Sequence, residues 1–425
     1  MKLRVTPSDS LNGTVTVPPS KSYTHRAVIL ASLAKGASTI RNPLLSEDTL
    51  ASIDACRKIG AQVDIQNEKI EIKGVFGAPR APATPIDVKN SGTTLRVMTP
   101  VCSLCSEKVT LTGDDSIRKR PMQPLLGALE QLGVKTFSTN GFAPVSVLGP
   151  ISGGRCRIVG DISSQFISGL LVASALAGEE TSIDLLTPIK SQPYVDLTVD
   201  VLSKFSGQVE KGASAYRIPG RQIFHGINYE VEGDYSSAAF LMVAAAILGS
   251  DVTVTNISIN SKQGDRRIID ILRAMGVNVQ VRAESVTVRG AGEIDGIQVD
   301  LGDSPDLLPI IAVIGALANG KTLIKNVGHL RYKESDRLKA ITTELNKMGA
   351  HVKEGKDFLE IKGVERLNGG HLSGWKDHRI VMALAIAALR AKGETVIDDA
   401  ESIPVSFPGF DKVMRSLGAD MNLID

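Results

Sequence analysis

The chain has 425 residues, 43% of them hydrophobic, with 48 basic and 46 acidic side chains and a net charge of +2. That length allows large buried cores and about three domains by size alone. The even charge balance, with no long basic run, argues against bulk nucleic-acid binding.

The first residues, MKLRVTPSDS, lack the apolar run of a secretion signal. Leu3-Arg4-Val5 and Thr14-Val15-Thr16-Val17 read as short strands that would open the first copy of a repeating unit. Six polar clusters then recur: Ser20-Lys21-Ser22, Ser91-Gly92-Thr93-Thr94, Ser163-Ser164-Gln165, Asp234-Tyr235-Ser236-Ser237, Ser304-Pro305-Asp306 and Asp377-His378-Arg379. They fall roughly 70 residues apart, longer than the common solenoid repeats. Ser, Thr and Asp cap helices, so each cluster predicts a helix N-terminus. An apolar helix follows, as over 27–34, 166–177 and 380–391. Next comes a short β-branched strand: 38–40, 108–111, 181–184, 252–255, 322–324 or 395–397. An amphipathic helix then runs to Gly60, Gly133, Gly207, Gly276, Gly349 or Gly418, glycine being the usual C-terminal stop. Alternation in Val277-Asn278-Val279-Gln280-Val281 and Val286-Thr287-Val288 predicts a closing hairpin. The longest apolar runs, 240–248 and 307–318, fall short of the ~20 residues of a membrane span.

The repeating unit is therefore βαβαββ. The aperiodic stretch 220–226 separates the third copy from the fourth. The expected fold class is α/β, with two similar domains of three units each, 14–225 and 1–13 plus 226–425. Two chain crossings make a hinge about a central cleft.

Helix N-termini attract anions. Lys21 is unfavourable at such an end unless an anion sits there, and Arg26 lies about one turn on. Gly92 lets backbone N–H groups approach a ligand closely. Arg120-Pro121-Met122 sets an arginine before a proline-opened helix, suited to carboxylate or phosphate. Ser163, Ser164 and Gln165 add uncharged donors. Taken alone, Lys333-Glu334-Ser335-Asp336-Arg337-Leu338 is an ordinary solvated helix start. His378 suits capping as well as catalysis. The phosphate-loop pattern over 315–322 has a helix before it and a strand after it, the reverse of what that loop needs, and predicts a turn. Gly290-Ala291-Gly292 also reads as a turn. Cys102 and Cys105 form a lone CxxC in an apolar run and are expected in the core, not on zinc. Four cysteines without a disulfide framework point to a reducing cytoplasm.

In order along the chain stand PSKSYTHRA, NSGTTLR, RKRPM, SSQF, SQPY, YKESDRL, DHR and SFPGF. Over essentially the whole length they resemble the enolpyruvyl transferase family, in the branch that acts on shikimate 3-phosphate. The resemblance implies two domains closing over the substrates. It also implies transfer of the enolpyruvyl group of phosphoenolpyruvate to the 5-hydroxyl of shikimate 3-phosphate. Phosphate is released, on the way to chorismate and the aromatic amino acids, with no cofactor or metal. Shikimate-phosphate contacts are implied for Lys21, Ser22, Arg26, Ser163, Ser164, Gln165, Ser191, Tyr194, Asp306 and Lys333. Phosphoenolpyruvate contacts are implied for Lys21, Gly92, Arg120, Gln165, Arg337 and Arg379. Asp306 resembles the base for the 5-hydroxyl proton. Glu334 resembles the group that exchanges a proton with the methylene carbon, with Lys21 close to both steps. The expected partners are those two small molecules, with no nucleic acid or membrane, for a cytoplasmic monomer. Glyphosate, an anion resembling phosphoenolpyruvate, is expected to compete. Two positions depart from many relatives: Val405 replaces a lysine and His329 an asparagine. The relative acting on UDP-N-acetylglucosamine fits less well. It has Lys-Asn in place of Lys21-Ser22, and a reactive cysteine where this chain reads Asp114-Asp115-Ser116-Ile117-Arg118. The fourth opening, Asp234, receives no ligand from the resemblance and is expected only to complete its domain.

Overall fold

A computed structural model describes residues 1–290 and 293–425. Of the turn expected at Gly290-Ala291-Gly292, Ala291 and Gly292 lie outside the described residues. The chain divides into two compact units, Pro19–Val231 and Met1–Pro18 with Glu232–Asp425. Each unit has its own hydrophobic core. No helix among the described residues is long and apolar enough to cross a membrane.

Each unit carries, among the described residues, three four-stranded sheets of one topology. The second copy illustrates it. Ile86–Asp87 pairs in parallel with Lys108–Thr112, which pairs antiparallel with Phe142–Leu148, and Lys135–Thr139 takes the edge. Parallel neighbours need a crossover, and the inner helix Gly92–Cys102 supplies it. The outer helix Gln123–Gln131 leads into the closing hairpin.

The inner helices are buried because their sequences leave no alternative. Tyr235–Ile247 reads YSSAAFLMVAAAI and is buried on every side. A helix that is apolar all round must sit inside. Ser164–Leu176 packs on Gly92–Cys102. Gly169 permits the approach, since a Cβ there would lie 2.6 Å from the Arg96 carbonyl oxygen.

Several local expectations change. Asn12–Thr16 does not open the first copy; it pairs in parallel with Asp251–Thr255 of the fourth. Lys2–Thr6 lies between Thr395–Ile397 and Asp420–Ile424 of the sixth. The first copy is opened instead by Asn228–Glu230 on Ala37–Arg41. Such short strands carry little partner information, and their register is set by the core they cover. Helix Gln123–Gln131 contains Pro124 in its first turn, so Pro121 lies outside it. At the Gly207 stop the left-handed residue is Ser206, at φ 70°. The 315–322 segment ends helix Leu308–Ala316 and turns through Gly320, at φ 81°, into Lys321–Lys325. The four cysteines are buried thiols.

Candidate active site

The six polar clusters lie at inner-helix starts, where Ser20, Ser91, Ser163, Asp234 and Asp377 accept backbone N–H groups. At the fifth, Asp306 sits in a 3-10 turn, Pro305–Leu307, that runs into Leu308–Ala316.

In the unit Pro19–Val231, Lys21 begins its helix with Nζ 2.9 Å from Asp48. The same carboxylate faces His25 Nε2 at 3.5 Å. His25 Nδ1 lies 2.8 Å from Ser52 Oγ, which lies 2.7 Å from Thr94 Oγ1. Thr94 in turn meets the Ser91 hydroxyl at 2.6 Å. A buried polar chain thus ties Lys21 to the helix start at Gly92. Burial alone would raise the Asp48 carboxyl, but Lys21 and His25 outweigh it and hold it well below the usual range. Burial lowers the His25 imidazole against the pull of Asp48.

Gly92 faces Arg120, and a Cβ there would lie 2.5 Å from Nη1 of that arginine. Arg96 donates to Gln165 Oε1 at 2.9 Å and stacks over Phe166. Gln165 Nε2 donates to Thr93 at 2.8 Å, joining the second and third helix starts. Ser164 is buried and Ser163 half-buried beside Gln165. Arg26 donates to the Ser22 and Tyr194 carbonyls and to Thr198 Oγ1, each at 2.8 Å. It therefore ties Lys21–Leu33 to Gln192–Lys204. Ser191, buried just before that second helix, has a φ of 60°. Such backbone strain concentrates at functional positions.

The other unit holds Asp306, Lys333, Glu334, Arg337 and Arg379. Arg337 is not solvated; its side chain is 1% exposed. It donates to Asp306 and Glu334 at 2.8 Å each and to Asp377 at 2.9 Å. Burial opposes its charge, but Asp377, Glu334 and Asp306 overcome that and raise it beyond the ordinary arginine value. Burial would likewise raise Asp377, and Arg337 reverses it. Arg379 reaches Asp306 at 2.9 Å and the Ser236 hydroxyl at 3.0 Å. Asp306 is therefore gripped by two guanidiniums, with Glu334 on the first of them. Lys333, half-buried, follows the 3-10 turn Gly328–Tyr332 that carries His329. Val405 is buried at the end of Ala400–Val405.

Sequence reasoning missed Asp48 and His25, which lie in different elements until the fold pairs them. It also gave the fourth opening no task. Asp234 accepts from the backbone N–H groups of Ser236 and Ser237 and from the Ser236 hydroxyl, which meets Arg379. The signal was the Ser236-Ser237 pair itself, which reads as no more than a cap.

A sequence profile described as EPSP synthase (3-phosphoshikimate 1-carboxyvinyltransferase) matches residues 5–414. The chain belongs to the EPSP synthase family. A 3-phosphoshikimate 1-carboxyvinyltransferase of Methanococcus maripaludis (strain C7) is 48% identical over 99% of this chain and 100% of its own length. That of Methanocaldococcus jannaschii is 48% identical over 99% of each. A solved EPSP synthase from Acinetobacter baumannii covers 100% of both chains with a TM-score of 0.85 and 29% identity. The family fold, two sets of three βαβαββ units, is thus the one described above.

Proposed function

We propose that the chain is a 3-phosphoshikimate 1-carboxyvinyltransferase, transferring the enolpyruvyl group of phosphoenolpyruvate to the 5-hydroxyl of shikimate 3-phosphate in chorismate biosynthesis. The observation that carries the reading is the Asp306 carboxylate held by Arg337 and Arg379 beside Glu334. A proton acceptor and two anion-holding groups stand within one side chain's reach, as this chemistry needs.

In the addition step the 5-hydroxyl oxygen bonds to C2 of phosphoenolpyruvate. Asp306 takes the hydroxyl proton, and Glu334 delivers one to the methylene carbon. In the elimination step Glu334 takes that proton back as the C–O bond to phosphate breaks, and the departing phosphate takes up the proton that Asp306 holds. Arg337, Arg379, Arg120 and Lys21 hold the phosphoenolpyruvate anion, with Gly92 and Gln165 beside it. Arginine forks suit carboxylate and phosphate oxygens. Lys21, Ser22, Arg26, Ser163, Ser164, Gln165, Ser191, Tyr194, Asp306 and Lys333 hold shikimate 3-phosphate. The enzyme acts as a cytoplasmic monomer on these two substrates, and its buried thiols suit a reducing compartment.

The test is phosphate release on mixing both substrates, with none from either alone. Release with phosphoenolpyruvate and UDP-N-acetylglucosamine instead would overturn the reading. Asp306→Asn, which keeps shape and one acceptor oxygen, is expected to cut kcat by about 10²–10⁴-fold, the range for losing a general base, while substrate binding persists.

A further inference from the structure

The residues Gly374 to Asp377, just before His378 and Arg379, form a tight turn in a conformation their side chains do not favour. The Asp377 N–H donates to the Gly374 carbonyl at 3.0 Å. Between them, Trp375 has φ 55° and Lys376 φ 52°. Two successive positive φ values mark a type I′ turn, normally built from Gly, Asn or Asp. Trp and Lys are costly there, and such strain persists only when the surroundings over-determine it.

Those surroundings are specific. Trp375 is the only tryptophan in the chain. Its Nε1–H donates to Glu344 Oε1 at 2.8 Å, and the Ser373 N–H donates to Glu344 Oε2 at 3.1 Å. Glu344 is fully buried, and Lys347 supplies its counter-charge at 2.9 Å. The Lys376 N–H donates to Asp399, and a Cβ on Gly374 would meet the Asp398 carbonyl oxygen at 2.3 Å. Glu344 stands two helical turns after Arg337 on Arg337–Lys347, so the two share a face. Arg337 grips Asp377 at one end of the turn, and Glu344 grips Ser373 and Trp375 at the other. One helix face therefore staples the turn at two points, and the turn sets where the helix carrying Arg379 begins.

We propose that Trp375 and Glu344 are positioning residues that hold Arg379 against Asp306 and so govern use of phosphoenolpyruvate. The proposal rests on the reading of Arg337 and Arg379 as phosphoenolpyruvate ligands. Neither Trp375 nor Glu344 touches the reacting atoms; each acts through the turn.

Two variants separate positioning from mere stability. Trp375→Asn suits a left-handed backbone and relieves the strain, yet removes the indole N–H. Glu344→Gln keeps the shape and loses one acceptor. Both are expected to raise KM for phosphoenolpyruvate by about tenfold, a modest share of what misplaced groups cost. KM for shikimate 3-phosphate should stay within about twofold; Trp375→Asn also gives up the indole's packing on the core, so its thermal midpoint falls, and the split between the two KM values separates positioning from stability. Amide hydrogen exchange at Arg379, Ile380 and Val381 should speed up in both. Unchanged exchange overturns the clamp whatever the activity. Faster exchange with both KM values unchanged, or raised together, overturns its role in catalysis. A wild-type protein without turnover sinks the enzyme reading instead, and exchange still decides the clamp.

Discussion

At the scale of single residues, the largest local effects follow from buried charge. Arg337 compensates Asp306, Glu334 and Asp377 at once. Removing one partner of a buried ionic cluster leaves charges unpaired, so Arg337→Met is expected to destabilise the fold by about 3–5 kcal/mol. Urea unfolding reads this directly, and a loss under ~1 kcal/mol would place the cluster in the class of surface pairs. Gly92 acts through Arg120. Because a Cβ at 92 would lie 2.5 Å from Nη1, Gly92→Ala forces that guanidinium aside. KM for phosphoenolpyruvate and the inhibition constant of glyphosate should both rise, by about tenfold or more for a misplaced group. Unchanged inhibition would show that Arg120 accommodates the methyl group in place.

At the scale of elements, each helix start does two jobs. Asp234 caps Tyr235–Ile247 and also orients Ser236, which supports Arg379. Asp234→Ala should cost about 1–2 kcal/mol, as lost caps do. It should also weaken phosphoenolpyruvate use, whereas Ser236→Ala keeps the cap, loses the contact to Arg379, and should weaken phosphoenolpyruvate use with little loss of stability. Denaturation and KM measured on both variants separate the two jobs. The cap positions were legible because a Ser or Asp directly before an apolar run is placed to accept the first free N–H groups of a helix. The burial of Arg337 was not legible. KESDRL has the composition of a solvated helix start, and only the carboxylates of Asp306 and Asp377, distant in sequence, make its burial affordable.

At the scale of the whole molecule, buried titratable groups couple stability to pH. His25 is lowered from 6.5 by burial, and Asp48 is lowered from 3.8 by its partners against burial. In both, the unfolded chain takes up protons at a pH where the folded chain still does not. Stability is therefore fully present above about pH 6.5 and falls as pH drops, first through His25 and then, below about pH 4, through Asp48. The urea midpoint should decline from pH 7 towards pH 4, and His25→Asn should flatten the upper part of that slope. An unchanged slope would mean that His25 titrates alike in the folded and unfolded chains.

The amino-acid sequence by itself determined the six-fold βαβαββ repeat, the capped helix starts and the family. These rest on local signals: apolar runs, β-branched strands, caps and ordered motifs. Only the tertiary structure decided which strands complete which copy, because Asn12–Thr16 and Asn228–Glu230 find their partners across long stretches of chain. It also decided which charges are buried together. Lys21 with Asp48, Arg337 with Asp306 and Asp377, and Trp375 with Glu344 are long-range pairings. Their energies come from exclusion of water, a property of the packed molecule that no stretch of sequence displays.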